Sequence, residues 1–332
     1  MFSLRQFSLG LSYYFQATVI FWRLRNYLKH DFLSDLDFPS DLQKEYYYRS
    51  NYYNRTKQYM HANHFFGELL CVLRGYKMNE RERKRFANLS ACAPIFDDFF
   101  DKEYEQADKI KKLLNQEKHE IAETEQQKLA VLFLDTILCD LDEKQAFLNA
   151  ANSLFSAQVE AKNKQISSKF PQELWQFSRQ KGGYSGLMYA LLLSHTLTDE
   201  EKEIAFLLGA FGQFMDDVFD LYDDRLAGIF TLPNTAQSVS EIETVFTQIH
   251  QEILLKVNNI KQSEKIKNKF SNILQLLAAP IRLALFHYHS IELKYKIAPS
   301  QCQQLERKIW IVDMEKPTNA FKMFEISLNY LH

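Results

Sequence analysis

The stretch Gln213 to Asp224, QFMDDVFDLYDD, carries five carboxylates: Asp216, Asp217, Asp220, Asp223 and Asp224. On a helix, at about 100° per residue, all five fall within an arc of roughly 120°. Phe214, Met215, Val218, Phe219, Leu221 and Tyr222 fill the opposite arc, so the spacing predicts one amphipathic helix with an acid face. Carboxylates spaced i, i+4 repel, and such density is a poor way to build an ordinary surface helix. Hard cations such as Mg²⁺ take oxygen ligands from one or two carboxylates, completed by waters and phosphates. The same spacing occurs earlier, at Asp97-Asp98-Phe99-Phe100-Asp101, with Ile95, Phe96, Phe99 and Phe100 opposite. Two aspartate-rich helices of matching phase could face each other and hold metal ions between them.

The elements that must position these residues read as helices. The N-terminal apolar spacing predicts a helix from Tyr13 to Lys29, and a new start follows near Pro39 and Asp41. Tyr46–Tyr53 is tyrosine-rich and gives no pattern. His61 to Arg74 has helical period with Gly75 as C-cap, and the next helix runs from about Asn79 into the first acidic motif. Pro94 lies inside it, where a lost backbone hydrogen bond predicts a kink. Gln106–Leu114, Glu120–Asp140 and Gln145–Gln165 continue the pattern, and Pro171 starts Gln172–Gln180. Lys181-Gly182-Gly183 predicts a break, since adjacent glycines cost about 1 kcal/mol each inside a helix. The pattern resumes at Tyr184–Leu193, and Thr198 and Asp199 cap the helix that leads into the second motif. Gly209 and Gly212 on that helix leave room for a packed helix or a cavity. Arg225 and Gly228–Pro233 end it, and Glu241–Val257, Ile260–Leu277, Ile281–Tyr295 and Gln301–Val312 follow.

No stretch alternates with period two for long, and no Pro/Gly/Ser linker divides the chain. One all-α domain over 1–332 is expected, with the motifs between about 60 and 235. Nine glycines and seven prolines in 332 residues fit long helices. Apolar residues make up 46%, including 27 Phe, so a large aromatic interior can form. A net charge of −2 with scattered lysines and arginines leaves no nucleic-acid footprint. Cys71, Cys92, Cys139 and Cys302 lack metal or redox spacing and predict buried thiols in a reducing compartment. Arg5, Gln6 and Gln16 interrupt the apolar N-terminus, so an amphipathic first helix is expected rather than a transmembrane segment, in a cytoplasmic protein. No glutamate has the histidine three residues later that a di-iron bundle needs. His30-Asp31 has no companion ligands.

Carboxylate-held metal ions suit the departure of a diphosphate, whose negative charge must be neutralised as it leaves. An allylic cation left behind needs a dry, aromatic-lined cavity. In these features the chain resembles the class I isoprenoid synthases. Asp97–Asp101 is similar to the family's first aspartate-rich motif, and Asp216, Asp220 and Asp224 resemble its second, with Asp216-Asp217-x-x-Asp220 also fitting the prenyltransferase form. Ala157-Gln158 stands where prenyl synthases carry a Gly-Gln pair. Lys181 and Arg225 resemble diphosphate-contacting bases, with Arg179 a further candidate, and Gly182-Gly183 resembles the kinked helix of terpene cyclases.

The resemblance implies an all-α helical bundle in which Asp97, Asp98, Asp101, Asp216, Asp217, Asp220 and Asp224 hold Mg²⁺. Three ions would be present with substrate bound, and Mn²⁺ is the substitute. Asp97, Asp98, Asp101, Asp216 and Asp220 would be catalytic; Arg179, Lys181, Arg225 and Gln158 would contact the diphosphate. The implied partner is a prenyl diphosphate, and the resemblance leaves room for a homodimer and for membrane-surface contact with a lipophilic product. Elongating prenyl synthases carry Gly-Gly-Lys upstream and Arg-Arg-Gly after the first motif. Here those regions read LRGYKMNERERKR and KEYEQADK. That favours a terpene synthase, and Trp175–Ser178 with Gln158-Val159 is similar to the bacterial large-terpene synthases. A chain-elongating trans-prenyl diphosphate synthase, or a non-catalytic helical protein retaining the fold, stays open.

Overall fold

The computed structural model describes residues 4–32, 34–36, 38, 40–101, 111–112, 114–115, 124–165, 170–314 and 316–330, without the side chains at 4, 5, 17, 42, 100 and 101. Among the described residues every regular element is helical and no strand occurs. The helices are α1 (Leu4–His30), α2 (Asp41–Arg49), α3 (Tyr52–Leu73), α4 (Glu80–Asp101), α5 (Glu125–Asp140), α6 (Lys144–Gln165) and α7 (Pro171–Ala190). They continue as α8 (Asp199–Phe219), α9 (Leu221–Ala227), α10 (Leu232–Thr235), α11 (Val239–Asn259) and α12 (Glu264–Tyr295). A 3₁₀ turn (Pro299–Gln304), α13 (Arg307–Trp310) and α14 (Pro317–Leu328) end the chain. Most of the expected Gln106–Leu114 helix, and the first residues of Glu120–Asp140, lie outside the described residues.

The chain divides into two compact units. Unit 1 comprises Met1–Phe15, Ser153–Leu187 and Thr198–His332; unit 2 comprises Gln16–Asn152 and Met188–Leu197. The first acidic motif belongs to unit 2 and the second to unit 1.

In unit 2, α4 packs against α3 and α5, burying Leu69, Leu73, Phe86, Ile95, Phe99, Phe133 and Ile137. The tyrosine-rich stretch without a readable pattern forms α2 and the start of α3. Ser40 caps α2 by accepting from the Gln43 N–H at 3.3 Å, and Tyr47 is fully buried with its hydroxyl on Thr56. Polar side chains then fix the loops. Arg74 donates to the carbonyls of Ser194, His195 and Thr196, near the end of α7. Arg85, 2% exposed, donates to Asp140 and to the Leu192 carbonyl. Cys71 and Cys92 are buried as expected, as is Cys302 of unit 1, but Cys139 is exposed.

In unit 1, α11 packs on α8 and α12, and α12 on α14. Phe211, Phe214, Phe246 and His250 form the aromatic centre of that packing. Thr198 and Glu201 form the capping box that starts α8. Three sequence expectations change here. The predicted break at Lys181-Gly182-Gly183 is absent, because α7 runs unbroken to Ala190. The two helices expected over 260–295 are one, α12, with Pro280 inside it. The Gln301–Val312 helix is instead a 3₁₀ turn and one short α-turn.

The glycines of α7 serve packing. A Cβ on Gly182 would lie 2.5 Å from Gln213 Cβ and 2.6 Å from the Gly209 carbonyl oxygen. One on Gly186 would lie 2.5 Å from the Ala205 oxygen and 2.7 Å from Gly209 Cα. The backbones of α7 and α8 therefore meet at a point where no side chain fits, and that contact offsets the helix cost of the glycines. Gly212, by contrast, has nothing within 4 Å of its Cβ position.

Gly186→Ala is expected to destabilise the protein by about 1–3 kcal/mol in urea unfolding, as overpacking does. Gly212→Ala should be neutral or stabilise by up to about 1 kcal/mol through helix propensity. Equal effects of the two would remove the crossing as the reason for the glycine at 186.

Candidate metal centre

The first motif lies on the last turns of α4, after Pro94. Three side chains of α3 at helical spacing, Tyr52, Arg55 and Tyr59, reach it. Arg55 Nη1 donates to Asp98 Oδ1 at 2.6 Å, and its Nη2 lies 3.8 Å from Asp97 Oδ2. The Tyr52 hydroxyl donates to Asp98 Oδ2 at 3.2 Å, and the Tyr59 hydroxyl donates to Asp97 Oδ2. Burial, with the nearby carboxylate charges, raises both phenols well above the ordinary tyrosine range, so both stay donors. Asp98 is buried and both of its oxygens are engaged; Asp97 is half-buried. The Asp101 side chain lies outside the described residues. Sequence reading missed Tyr52, Arg55 and Tyr59, and their i, i+3, i+7 spacing opposite an acidic motif was the available signal.

The second motif is not a single helix. Helix α8 ends at Phe219, Asp220 turns at φ −90° and ψ 9°, and α9 begins at Leu221. The Tyr288 hydroxyl donates to the Val218 carbonyl at 2.8 Å. In an unbroken helix that carbonyl would accept from the Tyr222 N–H, so its diversion coincides with the bend. Backbone bonds Asp220 N–H to Asp216 and Asp224 N–H to Asp220 persist. The chain thus keeps near-helical spacing across the bend.

Four of the five carboxyls crowd one another. Burial pushes Asp217 up to about 6, assisted by the Asp216 charge and opposed by Ser178, Gln213 and Lys181. Asp217 Oδ1 accepts from Gln213 Nε2 at 2.8 Å, while its buried Oδ2 has no hydrogen-bond partner. The buried Ser178 hydroxyl beside it likewise makes no hydrogen bond of ordinary geometry. Burial and the charges of Asp217, Asp220 and Asp216 push Asp224 up to about 7, against Lys181. Asp216 keeps solvent contact but is crowded by protein, which raises its carboxyl against Lys181 and Gln213. Asp220 is raised by burial and by Asp216 and Asp223, with Arg307 opposing. Asp223 differs: Arg307 holds both its oxygens at 2.6 Å and lowers its carboxyl below the usual range.

Of the expected diphosphate contacts, Lys181 lies close enough to draw down Asp216, Asp217 and Asp224 together. Arg179 is paired with Glu252 of α11 at 2.8 Å. The Arg225 guanidinium lies 4.7 Å from the centre of the Phe230 ring. Gln158 is half-buried on α6. A cavity of about 570 Å³ in unit 2 is lined by charged and polar residues, Arg81, Lys84, Arg85 and Asp140 among them, and contains none of the expected site residues.

Among the described residues no group of three or more His, Cys, Asp or Glu side chains is assembled to hold a metal ion. Mg²⁺ needs only one or two protein carboxylates, and the second cluster fits that demand. Its donors are all oxygens, one buried oxygen is unpartnered, and its carboxyls raise one another.

A carboxyl whose folded-state pKa exceeds the usual 3.8 binds its proton more tightly in the folded chain. These carboxyls therefore contribute stability that is lost as pH rises from about 4 through about 7, against the opposite contribution of buried His64 and His250, both pushed down to about 4. In Mg²⁺-free buffer, Asp224→Asn should reduce that loss and melt a few degrees higher than wild type near pH 8. An unchanged pH slope would mean that the crowding is absent in solution.

Compared with protein-family models, curated proteins and solved structures, the chain matches none.

Proposed function

We propose that this chain is a Mg²⁺-dependent class I terpene synthase, which ionises an allylic prenyl diphosphate and releases pyrophosphate. The supporting observation is the gathering of Asp216, Asp217, Asp220 and Asp224, all raised by burial and all but Asp216 also by a neighbouring carboxylate, with Lys181 acting on Asp216, Asp217 and Asp224. Such a cluster is costly in the absence of cations and well suited to bind them. Bound Mg²⁺ would neutralise the oxygens of the departing diphosphate.

On this reading Asp216, Asp220 and Asp224 are the principal ligands of the second motif, and Asp217 supports them from its buried position. Lys181 supplies a positive charge to the diphosphate from the same cluster. Asp97 and Asp101 are the ligands of the first motif. Asp98, held by Arg55 and Tyr52, orients that turn of α4. Arg225 and Gln158 are further diphosphate contacts, and Arg179 would have to leave Glu252 to become one. A tyrosine held in its neutral form, as Tyr59 is, can donate to a carboxylate without adding charge.

The test is pyrophosphate release and product analysis with Mg²⁺ and C10, C15, C20 and longer all-trans prenyl diphosphates, each with and without isopentenyl diphosphate. A hydrocarbon or alcohol from one allylic substrate is expected. Asp216→Ala and Asp97→Ala should each lower turnover by at least about 10³-fold, a loss of the size seen when transition-state charge stabilisation is removed. Helical circular dichroism should be unchanged. A longer diphosphate formed only with isopentenyl diphosphate would make the chain an elongating prenyltransferase. Failure to consume any substrate would leave a non-catalytic helical protein.

A further inference from the structure

The bend at Asp220 is held on both sides by later residues of unit 1. On its N-terminal side, the Tyr288 hydroxyl of α12 donates to the Val218 carbonyl at 2.8 Å. Both residues are buried. On its C-terminal side, Arg307 holds the Asp223 carboxylate, and Gln303 Nε2 donates to the Arg225 carbonyl at 3.1 Å. The Tyr288 ring lies 5.6 Å from that of Trp310, which shares α13 with Arg307. Among these contacts, the one from Tyr288 meets the main chain where α8 stops. A phenylalanine would fill the same buried space, so packing does not require the hydroxyl. Once buried, a tyrosine hydroxyl needs a partner, and here the partner is a helix carbonyl.

We propose that Tyr288 is a positioning residue for the second acidic cluster. Its hydroxyl draws the Val218 carbonyl out of the helical ladder and so sets the angle at which α9 carries Asp224 to the carboxyls of α8. The inference rests on the reading of that cluster as a Mg²⁺ site. Asp220 stands at φ −90° and ψ 9°, in the sparsely allowed bridge region rather than the helical basin. The turn that follows is therefore rotated against the one before it. Asp216 and Asp217 lie before the bend and Asp224 after it, yet Asp224 stays within reach of both charges. Its neighbour Asp223 is turned instead to Arg307. Mg²⁺ demands near-ideal octahedral geometry, so rotating one carboxyl-bearing turn against the next changes its affinity.

Tyr288→Phe keeps the ring and its contact with Trp310 and removes only the hydroxyl; Tyr288→Leu removes both. The readout is the Mg²⁺ concentration that half-saturates the rise in melting temperature of the full chain, at a fixed concentration of inorganic pyrophosphate. Tyr288→Phe should raise that concentration at least about 10-fold, as loss of a group that orients metal ligands does. In metal-free buffer it should melt close to wild type. Tyr288→Leu should melt lower but bind Mg²⁺ no more weakly than Tyr288→Phe, since both lack the hydroxyl. In the crystal structure of Tyr288→Phe, Asp220 should move toward helical φ and ψ. Mg²⁺ binding equal to wild type would overturn the proposal and leave the metal reading standing. So would an affinity loss that deepens from Phe to Leu with the fall in melting temperature, or a bend unchanged in the variant. A wild-type chain whose melting does not respond to Mg²⁺ and pyrophosphate would instead overturn the metal reading, and this inference with it.

Discussion

The backbone contact between α7 and α8 at Gly182, Gly186 and Gly209 is the constraint on which the second acidic cluster depends. Packed helices ordinarily keep their axes 8–10 Å apart, the spacing set by interposed side chains. Glycine at the crossing removes those side chains. Ser178 and Lys181, one turn or less before Gly182, are thereby held against Gln213, Asp216 and Asp217 on the next helix. The backbone position of the lysine that acts on three of the carboxyls is thus fixed by the helix contact. A rigid frame of this kind is also what allows like charges to stay together. Without it, carboxyls that repel would separate by rotating the helices.

The two acidic motifs solve the same electrostatic problem differently. In the first, Arg55 and two phenols answer Asp97 and Asp98, so charge and hydrogen-bond demand are met within the unit. In the second, Arg307 hydrogen-bonds Asp223 and reaches Asp220 by charge only. Apart from that charge and the Ser178 hydroxyl beside Asp217, the remaining four carboxyls are answered by one lysine and one amide, and three of them gain part of their upward shift from neighbouring carboxylates. A buried carboxylate with an unpartnered oxygen carries a desolvation cost that only a donor or a cation removes. Asp97 and Asp98 thus find donors on α3. In the second motif the buried Oδ2 of Asp217 finds none.

Helical periodicity made the all-α character legible, and the acidic motifs were visible because five aspartates in nine residues need no context. Local rules failed where tertiary contacts outweighed them. Gly182-Gly183 carries the propensity of a break, but the close approach of α8 favours a continuous helix. Two helices are expected on either side of residues 278–280, yet α12 continues through Pro280, its interior face buried on α8 and α11. Asp220 was read as mid-helix because the side chain that diverts the Val218 carbonyl, Tyr288, lies far along the chain. Tyr46–Tyr53 hid two helices because tyrosines face both core and surface there: Tyr47 and Tyr52 are buried, and Tyr48 is 39% exposed.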